Sequence, residues 1–456
     1  MEGSPDLGSV CSQAYKSVRR LFIHWRTERI LSLQKRHSLW LAGALLSLCQ
    51  AVPVMAQPPQ LGGDGSITDN DRLVPGLYPA DPVLASGDGL PEPYDLPFNV
   101  DWSVALRGTY TQASSGERFD VRVVPSVAIE HTGVRSSLSA SGSAEVVRPT
   151  QGAIDVSALR LSGTTGYSLD NDTALTAGGR FSLTRAVAGT PGVSSTIAIA
   201  PQTISGGADL GVSRRLGKFN VAVTGSADRT VYGTTTLTSG AVVDNSDQNA
   251  WALNAGLRVG FQITPIFEVF GKAGLGRDLF DLPSTTLGVK PDATTMALEA
   301  GVTGRWSDVL EATASTGVIF RRFDASSLGE VTAQTYDAQL TFRPDPTLRV
   351  TTGLATIVAP PGPDGTGTTR IGYGVNGEVA YTLNSRIGLR ALANWNRASF
   401  TGSNATESGY GWGTGADYKV NANTAVTADY NYDQSDSTSS GVQEAHQVTL
   451  GVTLAR

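Results

Sequence analysis

Residues 251–262 read "WALNAGLRVGFQ". Trp251, Leu253, Ala255, Leu257, Val259 and Phe261 are apolar, and Asn254, Gly256, Arg258, Gly260 and Gln262 fill the places between. A period of two sends the two sets to opposite faces of a β-strand. A soluble sheet turns its oily face to a core and its charged face to water. A transmembrane barrel exchanges them, with oily residues toward lipid and polar residues toward a wet interior. An arginine pointing at lipid in mid-membrane costs about 2–4 kcal/mol, so Arg258 has to face inward if this stretch crosses a bilayer.

The same division recurs down the chain. Met296, Leu298, Ala300, Val302 and Trp306 stand against Glu299, Gly301, Thr303 and Arg305. Tyr336, Ala338, Leu340 and Phe342 stand against Asp337, Gln339 and Thr341. Ile371, Tyr373, Val375, Val379 and Tyr381 oppose Asn376 and Glu378, and Val426, Ala428, Tyr430 and Tyr432 oppose Thr427, Asp429 and Asn431. The polar face also collects Arg107, Arg122, Arg160, Arg180, Arg215, Arg321, Arg349, Arg390, Asp120 and Asp417. The oily face is diluted with Ala, Gly and Thr, unlike the Leu/Ile/Phe-rich inner face of a sandwich or solenoid.

Aromatic residues collect at the ends of these segments. Tyr167, Phe261, Trp306, Phe342, Tyr381 and Tyr418 precede short turns, and Trp251, Trp395 and Trp412 lie near the opposite ends, all with oily parity. Tyr410 and Tyr418 are eight residues apart, about 26 Å along a strand. A tilt of around 40° projects this to about 20 Å, near the height of an outer-membrane apolar band. Two interfacial girdles account for these positions.

Turn signals divide residues 99–456 into strands. Short connections such as "LDNDT" (169–173), "LGKF" (216–219), "RPDPT" (343–347) and "VNANT" (420–424) alternate with longer polar stretches at 186–203, 233–248, 281–293, 358–369, 400–408 and 433–443. Asn, Asp, Gly and Pro supply the backbone angles that tight turns need. Strands are expected to start near 99, 118, 137, 158, 174, 205, 219, 250, 266, 295, 309, 334, 348, 370, 387, 409, 424 and 445. The fold predicted is all-β: a transmembrane antiparallel up-and-down β-barrel of about 18 strands, with 16 as the fallback. Both chain ends of the barrel fall on the short-turn side.

The N-terminal segment reads as an export signal. "LWLAGALLSLC" (39–49) is a short apolar core behind Arg19, Arg20, Arg26, Arg29, Lys35 and Arg36, and Val54 and Ala56 suit a cleavage site. Residues 1–56 are therefore read as a signal peptide with a long basic region, cleaved after Ala56. Its removal takes both cysteines, Cys11 and Cys49, and leaves 28 Lys/Arg against 38 Asp/Glu, a net charge near −10. That balance excludes nucleic acid as a natural partner. Residues 57–98 hold eight prolines and seven acids against Arg72 alone, the composition of a periplasmic tail. A tail of this charge could also enter a partly basic lumen as a plug.

The hairpin repeat, the girdles and the final strand "HQVTLGVTLAR" resemble the outer-membrane β-barrel porin families of Gram-negative, alphaproteobacterial-type bacteria. The resemblance covers residues 99–456. It implies residence in the cell outer membrane, insertion by the barrel-assembly machinery, contact with outer-membrane lipid and passage of small hydrophilic solutes, and it leaves a homo-oligomer open. Such barrels usually finish on an aromatic residue, whereas this chain finishes on Arg456 with Leu454 as its last large apolar residue.

Catalytic and cofactor signatures are weak. "GYGVNG" (372–377) fits G-x-G-x-x-G but sits inside a strand pattern, whereas a dinucleotide site needs it to open a helix. His131 and His446, the histidines beyond residue 56, have no nucleophile motif beside them and no zinc-ligand spacing. No enzyme activity, cofactor or metal is expected. The expected function is a porin-like channel for passive diffusion. The alternatives are a structural or surface-exposed barrel whose outer loops bind a partner, and a barrel hydrolase acting on lipid. Arg107, Arg122, Arg160, Arg180, Arg258, Glu299, Arg305, Asp337, Arg349, Glu378, Arg390, Asp417 and Asp429 are the candidate pore-lining charges. Tyr167, Trp251, Phe261, Trp306, Phe342, Tyr381, Trp395, Trp412 and Tyr418 are the candidate membrane-interface girdle.

Overall fold

A computed structural model describes residues 98–456 apart from 115, 151–153, 187–192, 194–195, 363–364 and 439–440. The expected signal segment 1–56 and, except for Phe98, the acidic tail 57–98 lie outside the described residues. The strands are β1 (Asn99–Ala113), β2 (Gly116–Thr132), β3 (Ser136–Pro149), β4 (Asp155–Ser168), β5 (Thr173–Arg185), β6 (Ile197–Ile199), β7 (Gln202–Leu216), β8 (Phe219–Tyr232), β9 (Thr235–Leu237), β10 (Val242–Val243), β11 (Ala250–Thr264), β12 (Phe267–Phe280), β13 (Ala293–Trp306), β14 (Leu310–Phe323), β15 (Glu330–Asp345), β16 (Leu348–Ala359), β17 (Thr369–Thr382), β18 (Ile387–Thr401), β19 (Thr406–Asn421), β20 (Thr424–Ser437) and β21 (Gly441–Ala455). Short β6, β9 and β10 form a separate three-stranded sheet between two long connections. The other 18 form one antiparallel sheet in which each strand pairs with its neighbours in this order.

The sheet closes on itself. β1 pairs with β21 from Ser103↔Ala455 to Ala113↔Ala445. Trp102 and Arg456 complete the seam by exchanging backbone bonds of 3.0 and 2.9 Å. Closure is obligatory for a lipid-embedded sheet, since an open edge would leave N–H and C=O groups without partners in hydrocarbon. Every barrel strand begins within four residues of the expected position.

Burial shows which face is concave. On a closed sheet, inward side chains converge and shield one another, while outward ones splay apart. The non-glycine residues buried on the barrel strands, Thr369 excepted, all lie on the polar face; they include Thr109, Asp120, Glu268, Thr303, Ser315 and Arg321. The strongly exposed large apolar residues on these strands lie on the other face, with Leu392 the exception. The oily side is therefore convex and the charged side encloses the interior.

Two expected loops are shorter than the sequence suggested. The polar stretches 400–408 and 433–443 were expected to be loops, yet β18 runs to Thr401, β19 starts at Thr406, β20 runs to Ser437 and β21 starts at Gly441. Beyond the apolar band a strand needs no oily side chains, and the inter-strand ladder alone carries it on. The long connections that remain pack on each other. Asp247 accepts hydrogen bonds from the Thr285 backbone N–H (2.7 Å) and hydroxyl (2.8 Å) of the next long connection, and within its own connection Asn245 donates to the Gly233 carbonyl and the Thr235 hydroxyl.

At the opposite rim, turns are closed by their own side chains. Asp170 accepts from the backbone N–H of Asp172 (2.8 Å) and of Thr173 (2.6 Å), and the first of these leads in holding its carboxyl below the usual range. A carboxyl depressed on folding contributes stability above its unfolded pKa of about 3.9, and loses it as pH falls through the folded value. Asp170→Ala should thus lower the temperature at which the folded, fast-migrating gel band converts to the slow one at pH 7, with the difference from wild type vanishing in strong acid. Leu257→Arg, on the convex face midway between Trp251 and Phe261, should lower the denaturant stability of the membrane-inserted barrel by about 2–4 kcal/mol. Asn254→Arg, on the concave face of the same strand, should change it by under about 1 kcal/mol.

Candidate functional site: the inner wall

All thirteen candidate pore-lining residues fall on the concave face, and all nine candidate girdle residues on the convex one, by their register with neighbouring strands. Eight of the thirteen charges meet an opposite charge. Arg122 donates to Glu145 at 3.0 Å. Arg180 meets Asp209 at 3.5 Å and, across β7, Asp228. Arg258 meets Glu268 at 2.5 Å. Lys272 meets Glu299 at 3.4 Å, and Arg305 meets Glu311 at 3.1 Å. Arg390 holds Asp417 at 2.5 Å and, across β19, Asp429. Arg107, Arg160, Asp337, Arg349 and Glu378 form no ion pair among the described residues.

Glycine makes the two-strand crossings fit. The Asp228 carboxylate occupies the place where a side chain at Gly207 on β7 would stand, and Asp429 and Arg390 crowd the same place at Gly415 on β19. Charged side chains thus lie flat along the wall over a strand that offers no Cβ to lift them. Successive inward positions of β19 are all glycine: Gly409, Gly411, Gly413 and Gly415. In "GYGVNG", Gly372 and Gly374 are inward positions of β17 and Gly377 an outward one.

Sequence reasoning placed Asp120 and Arg321 on this wall but missed Arg118, Asp278 and Phe270 beside them. Arg118 and Arg122 both approach Asp120, at 2.7 and 3.8 Å, and Asp120 is fully buried. Arg321, 2% exposed, donates to Asp278 on β12 at 2.6 Å. Phe270 is a large aromatic on the charged face, with the Arg258 guanidinium 4.2 Å and the Lys272 ammonium 5.3 Å from its ring centre. The attraction of a cation to the ring face explains an aromatic here. Its signal was present in "FEVFGK", where Glu268, Phe270 and Lys272 share one parity. His446 lies on the convex face, its Nδ1 2.8 Å from the Tyr430 hydroxyl and its ring centre 4.9 Å from that of Tyr432. His131 lies at the end of β2, one residue before the turn, 5.2 Å from the Phe98 ring.

Among solved structures, similar chains include Pseudomonas aeruginosa OpdK, crystallised with vanillate. It is 10% identical, with 78% of this chain and 99% of that chain covered and a TM-score of 0.41. Acinetobacter baumannii OccAB4 is 11% identical, with 78% and 98% covered and a TM-score of 0.40. A loop-deletion form of Vibrio cholerae OmpT is 18% identical, with 79% and 100% covered and a TM-score of 0.30. Likeness this remote transfers none of those proteins' solutes to this chain. No curated protein matches the sequence significantly. The family model described as "Putative beta-barrel porin 2" matches residues 103–456, from the first barrel strand to the last residue, and says nothing of the bacterial class. The chain belongs to that family, and its closed 18-stranded sheet is a porin-like barrel of the outer membrane.

Proposed function

We propose that the inner wall lines a water-filled conduit through which small hydrophilic solutes diffuse passively, with the paired and unpaired charges sorting them by charge and size. The observation that carries this is the inverted burial: the charged face is concave on a barrel of 18 strands, a size that leaves room for an aqueous channel. Unpaired Arg107, Arg160, Arg349, Asp337 and Glu378 are the groups freest to act on a passing ion. The same reading takes 1–56 as an export signal cleaved after Ala56, 57–98 as a periplasmic tail, and the girdle aromatics as membrane-interface anchors. It takes the barrel-assembly machinery as the route of insertion and the protein as a non-enzyme. No observation favours a loop-binding structural barrel or a lipid hydrolase. His446, the histidine nearest the long-loop rim, is engaged with Tyr430 and Tyr432 on the lipid-facing side.

The purified, folded barrel should give stepwise, voltage-sustained ion currents in planar bilayers. A folded preparation, shown by heat-modifiable gel migration, that gives no current contradicts the proposal. Arg390→Gln leaves Asp417 and Asp429 without their shared cation. In a tenfold KCl gradient its reversal potential should move toward that of K⁺ relative to wild type.

A further inference from the structure

The inner wall holds a recess of about 150 Å³ where β20, β21, β1, β2 and β3 meet, lined by Arg107, Arg122, Glu145, Asp429, Asn431 and Gln447 among others. It is well under the roughly 300 Å³ that drug-sized ligands need. Its charges are unevenly cancelled. Arg122 is neutralised by Glu145 (3.0 Å), and Asp120 is held by Arg118 and Arg122, so two cations and two carboxylates balance on that side. Arg107 has no counter-ion among the described residues. Its stem lies along the wall, since a Cβ on Gly451 of β21 would stand 3.0 Å from the Arg107 Cγ. On the β20 side the balance is reversed. Arg390 serves both Asp417 and Asp429, one cation for two carboxylates. Asn431 is the next inward position of β20 after Asp429, on the side away from the Arg107 row, and its side-chain amide has no hydrogen-bond partner among the described residues.

The recess thus has one surplus positive charge, a free amide and, through Asp429, an edge on a cluster with one surplus negative charge whose other members, Arg390 and Asp417, lie outside its lining. A solute with one charge satisfies one end and strips water from the other without compensation, whereas a molecule carrying both charges satisfies both. We propose that this recess is a binding station for small zwitterionic solutes of the amino-acid class. The carboxylate is received by Arg107, the ammonium turns toward Asp429 at the edge of the Asp417–Asp429 pair, and Asn431 offers a hydrogen bond beside Asp429. The inference deepens the channel reading and rests on the recess facing the conduit.

The test is equilibrium binding to the full barrel in detergent, using four probes of matched size: β-alanine, propionate, propylammonium and propionamide. β-Alanine should bind about tenfold or more tightly than each of the others. Arg107→Gln and Asp429→Asn should each reduce that preference about tenfold, and Arg107→Lys should keep most of it. Equal affinity for the four probes, no binding of β-alanine, or an unchanged preference in a folded Arg107→Gln barrel overturns the proposal. Heat-modifiable migration certifies the fold of each variant. Current recorded from the same preparations separates the two ideas. A conducting barrel that ignores β-alanine ends the binding station alone, and a non-conducting barrel that binds it ends the diffusion reading alone.

Discussion

Backbone hydrogen bonding is the constraint from which this structure follows. In hydrocarbon no water can satisfy a free peptide group, so strands cross a membrane only as a ring without edges. Here the ring is completed by the β1–β21 ladder and the Trp102–Arg456 exchange. Once the ring is closed, the pleat sorts side chains into one face that meets lipid and one that does not. Leu257 and Arg258 are neighbours in sequence and lie on opposite faces because of that sorting.

Closure also governs the interior. Converging side chains on the concave face come near enough to pair, and the pairs reach beyond adjacent strands. Arg180 to Asp228, Arg321 to Asp278 and Arg390 to Asp429 each pass over an intervening strand. Most such pairs are partly wet, so each adds little to stability, about 0–1 kcal/mol. Their effect is on shape and field: they hold long side chains against the wall and leave a few charges uncancelled.

The strand pattern was legible in the sequence because lipid imposes one rule on every crossing. Alternation fixed the face of Arg258 and Glu299, and turn residues such as Asp170 marked the ends. Pairing was not legible, because it depends on which strands are neighbours and on the tilt between them. Nothing local in "GTGADY" says that Gly415 lies beneath Arg390 and Asp429. Phe270 was overlooked because an aromatic was expected to face lipid, and only the neighbouring Arg258 and Lys272 explain its place inside. Loop ends failed where membrane rules stop applying, as at 400–408 and 433–443.

The central claim is the direction in which each face points. It is tested most directly by single cysteines at adjacent positions 257 and 258, with Cys11 and Cys49 replaced, in the barrel reconstituted in lipid. A cysteine in place of Arg258 should react with a charged, membrane-impermeant thiol reagent, and a fluorophore there should resist quenching by nitroxide lipids. A cysteine in place of Leu257 should be shielded from the reagent, and its fluorophore quenched by the lipid probe. The opposite pattern, or equal aqueous reactivity at both positions, would contradict the account.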